Sequence, residues 1–124
     1  MDTYIDAFVL PIPRTSIDSY RHLVEATAEI WREHGALEYR EYVGEDLSSV
    51  GTGSFRDFCS AAEDDIIVFG WVLFESREAR DQVNARVAAD PRMTALIDAY
   101  GSGFDPRQMA YGGFQQFVAL ERTN

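Results

Sequence analysis

The stretch DDIIVFGWVLFE, residues 64–75, limits what this chain can fold into more than any other. In an extended strand Ile66, Val68, Val72 and Phe74 project to one side and Ile67, Phe69, Trp71 and Leu73 to the other. Apolar side chains thus occupy both faces, and each face needs a cover. β-Branched and aromatic residues dominate, and the run is too short to span a membrane, which predicts a strand in the interior of a sheet.

At 124 residues the chain suits one domain, residues 1–124, with a single core. All 11 basic residues are arginine and face 21 carboxylates, a formal charge of -10 spread along the chain. That excess repels phosphate backbones and argues against a nucleic-acid partner. The opening MDTYIDAF has an early acid and no basic segment, and Pro11 and Pro13 cut the apolar run behind it. Neither a signal peptide nor a membrane anchor is expected, and the reading is cytoplasmic. Cys59, the lone cysteine, has no internal disulfide partner and no neighbour at metal spacing, so it reads as an ordinary thiol.

Residues 3–12 predict a first strand with Ile5, Ala7 and Val9 on one face and Tyr4, Phe8 and Leu10 on the other. Asp6 falls in the second set. A carboxylate there is costly to bury alone, so it lies near a sheet end, in water, or beside an arginine. A helix follows, with Thr15 and Asp18 spaced as a capping box and Gly35 as its stop. Its inner arc carries Tyr20, Leu23, Val24, Thr27, Ile30, Trp31 and His34, whereas His22 falls on the charged face. Residues 36–44 alternate as an edge strand, and residues 45–63 form a long connection held down by Phe55 and Phe58.

Beyond the central strand, Ser76 caps a helix with a thin stripe of Ala79, Val83 and Val87, and Asp90-Pro91 restarts helix through Tyr100, closed by Gly101 and Gly103. A last strand spans residues 108–120, with a bulge expected at Gly112-Gly113. The order βαββαβ gives an α+β, ferredoxin-like sandwich: a four-stranded antiparallel sheet in order 4-1-3-2, with the helices on one face. The other face is apolar and bare. A second copy of the sheet is expected to close over it, making a homodimer.

The blocks FGWVLFESREARDQVNARVAADPRM and GFDPRQMAYGGF, with AFVLPIP and EHGALEYREYVGED before them, resemble the YbaA-like family of small bacterial proteins of unknown function. The likeness runs through nearly the whole chain. It implies a dimeric α+β barrel, in which two ferredoxin-like units pack sheet against sheet, and it implies no established activity. The chain departs from the family pattern at Gly103 before Phe104-Asp105 and at Pro106-Arg107 after that pair.

No metal motif, phosphate loop or nucleophile elbow is present, so neither metal nor cofactor is expected. The superfamily that the resemblance implies includes cofactor-independent oxygenases and haem-degrading enzymes with ligands between helices and sheet. In this chain Tyr20, Trp31, His34 and Trp71 are the candidates to line that gap, for a small aromatic ligand. Taken one at a time, each ring reads first as filling a small core, and His34 reads first as a helix-end residue bonded to backbone. The haem subgroup is disfavoured, because the second helix offers no histidine. Three functions follow: a homodimer binding a small molecule or protein, a cofactor-independent oxygenase or related small-molecule enzyme, or a dimer without a ligand.

Overall fold

The computed structural model describes residues 2–48, 50–101 and 105–122. The doubly apolar stretch forms β3 (Asp65–Phe74), hydrogen-bonded along both edges in an antiparallel sheet of order β2-β3-β1-β4. Its neighbours are β1 (Tyr4–Pro13) and β2 (Glu38–Val43), and β4 (Ala110–Gln115) lies outside β1. This is the predicted strand order. The register pairs Tyr4 with Phe74 and Pro13 with Asp65, so β1 and β3 match along their whole length.

Three long helices, α1 (Ile17–Glu33), α3 (Arg77–Ala88) and α4 (Pro91–Tyr100), belong to the layer over one face, while α2 (Phe55–Phe58) is a single turn in the connection before β3. Under the helices, Phe74 and Val72 meet Ile30, Ala36, Val83 and Val87, and Leu10, Ile12 and Val68 meet Tyr20. The stripe on α3 is thin because α3 also docks through charge. Arg80 places Nη1 2.7 Å from Asp6 Oδ1, and Asn84 donates to Asp6 Oδ2 at 2.9 Å. Of the three settings open to Asp6, pairing with an arginine is the one found, and the residue is 3% exposed.

Helix ends follow local chemistry with one exception. Gly35, at φ 120°, donates to the Arg32 carbonyl at 3.1 Å, and Ala36 donates to that of Trp31 at 3.0 Å, a left-handed close that a side chain would strain. Ser76 accepts from the Ala79 N–H, Asp90 accepts from that of Arg92 with Pro91 in the first turn, and Gly101 ends α4. Gly103 lies outside the described residues. The exception is the capping box: residues 14–16 form a 3-10 turn, and Ser16 precedes α1 without a side-chain bond. Pro13, at φ -55°, feeds the chain straight into that turn, whose Arg14 carbonyl takes the Ile17 N–H. Thr15 is left exposed.

Two further expectations are corrected on the strands. β4 pairs continuously with β1 across Gly112 and Gly113, opposite Ala7 and Asp6, so there is no bulge. Gly113 answers a different need, since a Cβ there would run into the Tyr4 ring and hydroxyl. β4 also stops at Gln115, opposite Tyr4 where β1 begins, and beyond it Phe117, Val118 and Leu120 are exposed. On the outer face, Cys59, Leu47 and Ala61 cover Val9 and Ile67. Phe58 is 80% exposed and Phe55 only touches Phe69 edge-on, so the buried Cys59 anchors the connection instead.

Replacing either Asp6 or Arg80 by alanine leaves the other charge in the interior and should cost about 3 kcal/mol of folding stability. In urea titrations the double variant should lose little more than either single variant. Additive losses would contradict the pairing.

Candidate functional site

Between the helix layer and the sheet lies a cavity of about 320 Å³. The period of α1 aligns Tyr20, Val24, Thr27 and Trp31 along its roof, with Met93 and Ile97 of α4 and Asn84 of α3 beside them. The sheet supplies Asp6, Phe8 and Leu10 from β1, Tyr39 and Glu41 from β2, Val72 from β3 and Tyr111 from β4.

Two polar clusters stand in the lining of this space. In one, Trp31 donates its indole N–H to Asn84 Oδ1 at 3.1 Å, and Asn84 in turn donates to Asp6. In the other, the Tyr20 hydroxyl donates to Glu41 Oε1 at 2.6 Å and the Tyr39 hydroxyl to Glu41 Oε2 at 2.7 Å. Burial pushes the Glu41 carboxyl above the usual carboxylate range and outweighs the two phenol hydrogen bonds, which act the other way. Burial, then the neighbouring Glu41 charge, pushes both phenols up, so they stay protonated donors. Tyr111 is also raised, by burial first and then by Asp6.

Glu41, Tyr20, Tyr39 and Val24 also line a neighbouring groove of about 290 Å³, bounded by Arg21, Glu25, Val43 and other residues. Glu41 is therefore shared by the helix–sheet cavity and a groove along the β2 edge.

Of the four residues singled out from sequence, the gap holds Tyr20 and Trp31. Trp71 is on the opposite face, with its indole N–H on Glu38 Oε1 at 3.1 Å and its ring stacked on Tyr42. Strand parity decides this: the helices cover the set that contains Val72, so Trp71 and Phe69 both face outward. His34 is also outside the cavity. Its Nε2 is 2.9 Å from Asp90 Oδ2, which pins the end of α1 to the start of α4. The Arg92 and His34 hydrogen bonds hold the Asp90 carboxyl well below the usual range. His22 stays on the surface, where its ring stacks on Tyr100. Burial pushes the Cys59 thiol up, away from the reactive thiolate.

Sequence reasoning missed Glu41, although its signal was present. Glu41 has the parity of Tyr39 and Val43, so it interrupts the inward set of β2 as Asp6 interrupts that of β1. Among the described residues no cluster of histidine, cysteine and carboxylate could hold a metal ion, and no helix is long and apolar enough to cross a membrane.

The model of a family of proteins of unknown function, DUF1428, matches residues 3–105. The uncharacterized protein YbaA of Escherichia coli is 33% identical over 115 residues, which cover 93% of this chain and 97% of that protein. Among solved structures, a mutant of SnoaB, a cofactor-independent oxygenase from Streptomyces nogalater, aligns with a TM-score of 0.58 at 13% identity, over 98% of this chain and 97% of that one. A dimeric ferredoxin-like protein from an uncultured marine organism gives a TM-score of 0.55 at 9% identity, over 98% and 100%. These two likenesses are of fold, and they agree with the ferredoxin-like α+β architecture read from the strand order.

Glu41→Gln should stabilise the protein at neutral pH, because the amide accepts one phenol hydrogen bond, donates to the other oxygen and removes a buried charge. The sign follows from the raised folded-state pKa. Native stability from this group is full below the unfolded pKa and is lost as pH rises through the folded one. A gain of order 1 kcal/mol, a few degrees in Tm, is expected at pH 7. It should vanish near pH ~3, where the carboxyl is protonated in both states. A variant that is less stable at pH 7 would contradict the assignment.

Proposed function

We propose that this chain, which belongs to the DUF1428 family, binds a small and largely apolar molecule in the helix–sheet gap and pairs with a second copy through the outer face of the sheet. The observation that carries the reading is the cavity itself. At about 320 Å³ it falls within the range of ligand pockets, and its lining joins aromatic and aliphatic walls to a few fixed polar groups. The ligand contacts are Tyr20 and Trp31 with Tyr39, Glu41 and Asn84.

The dimer has separate support. Tyr42, Phe69 and Phe114 are 50%, 38% and 57% exposed on the outer face, more aromatic surface than an isolated sheet usually leaves in water. Neither nucleic acid nor cofactor is part of this proposal, and the cytoplasm is its compartment, in keeping with the charge of -10 and a single thiol.

A second reading, a cofactor-independent oxygenase or related small-molecule enzyme, is favoured by one feature, a carboxylate of raised pKa in the wall of the gap. Turnover of a bound ligand would distinguish it from simple binding.

Light scattering at micromolar concentration should give the mass of two chains, and a stable monomer would remove the dimer from the proposal. In a calorimetric screen of flat aromatic compounds, Val24→Trp should abolish binding by filling the gap, whereas His34→Ala should leave it unchanged. Ligands that bind Val24→Trp as well as the native protein would place the site elsewhere.

A further inference from the structure

Among the described residues that line the gap, Glu41 is the carboxylate with no ion-pair partner. Among the described residues the cavity is lined by two carboxylates, Asp6 and Glu41, and by no arginine or histidine. Asp6 is neutralised from α3, with Arg80 at 2.7 Å and Asn84 at 2.9 Å. Among the described residues Glu41 receives the phenol hydrogen bonds of Tyr20 and Tyr39, and no ion pair reaches it. An ionised carboxylate offers about four acceptor positions, of which these two bonds use half.

Aromatic rings surround the same space. The Trp31 and Tyr39 ring centres are 5.8 Å apart and those of Phe8 and Tyr39 are 6.5 Å apart, with Tyr20 also in the lining. Ring faces carry negative quadrupole charge and attract cations, most strongly where water is excluded. An anionic ligand would meet two carboxylates, and a neutral one would leave the Glu41 charge uncompensated.

We propose that the gap takes an organic cation, a protonated amine or small quaternary ammonium on an apolar body, with Glu41 as its counter-ion. The inference rests on the gap being the binding site and adds the charge of the ligand. The groups that bear on Glu41 are Tyr20, Arg21 and Glu25 of α1, Tyr39 of β2, Asp6 of β1 with Arg80 and Asn84 of α3 behind it, and Tyr111 of β4. Arg21 and Glu25 line the outer groove with Glu41, and among the described residues neither Arg21 nor any other cation forms an ion pair with the Glu41 carboxylate.

The test uses benzylamine, benzyl alcohol and phenylacetate as cationic, neutral and anionic probes, titrated calorimetrically into the native protein at pH 8. Benzylamine should bind about tenfold more tightly than benzyl alcohol, with phenylacetate weakest. In Glu41→Gln the ratio of amine to alcohol should fall to about one. Phenyltrimethylammonium does not titrate, so its affinity for the native protein should fall on acidification only as Glu41 takes up a proton, and this dependence should be absent in Glu41→Gln. An alcohol or acid that binds as well as the amine, or an amine preference that survives in Glu41→Gln, overturns the ligand charge while the gap remains the site. Binding of all three probes that is unaffected by Val24→Trp, or no binding at all, overturns the site as well.

Discussion

A carboxylate in the middle of an apolar strand has to be matched by a cation from the layer packed against it, and Asp6 imposes that condition on this fold. Arg80 and Asn84, one helical turn apart on α3, both reach Asp6, so the helix is fixed in rotation and in height above β1. Val83 and Val87 then fall onto Phe74 and Ile30, and a stripe too thin to dock a helix by burial alone becomes sufficient. Asn84 also takes the Trp31 indole N–H, which ties α3 to α1 through the same polar cluster. Asp6 and Asn84 of this cluster and Glu41 of β2 all line the cavity.

The sheet gives its two faces different work. Toward the helices, β3 contributes Val68, Val72 and Phe74 to a core, and the cavity opens beside it over β1 and β2. Away from the helices, Phe69 and Trp71 meet Tyr42 and Phe55 in a partly exposed aromatic band, while Val9 and Ile67 are buried under Cys59, Leu47 and Ala61 of the connection. A residue of β3 serves one face or the other by its parity. For that reason Trp71 belongs with the dimer proposal and not with the ligand.

Much of this was legible in the sequence where one local rule decides the outcome. The two apolar sets of β3, the stop at Gly35 and the caps at Ser76 and Asp90 each depend on a few neighbouring residues. Thr15 misled because Pro13 had already set the entry to α1, and Gly112-Gly113 misled because a glycine pair marks either a bulge or a close approach. The site was harder to read, since it depends on which residues of different elements end up opposite one another. His34 has helical spacing with Tyr20 and Trp31, but α1 outruns the gap before reaching it, and Asp90 on α4 claims its ring. Glu41 and Asp6 broke the apolar pattern of their strands. Such breaks were the sequence's clearest pointer to the polar groups of the cavity.

The central claim is that the gap and the outer face are separate sites on one sheet, and the two tryptophans report on them individually. Trp31 is in the gap and Trp71 in the outer aromatic band. In Trp71→Phe the emission of Trp31 should respond to a gap ligand and not to dilution, whereas in Trp31→Phe the emission of Trp71 should shift as the dimer is diluted apart and not on adding ligand. Dilution that moves Trp31, or a ligand that moves only Trp71, would contradict the account.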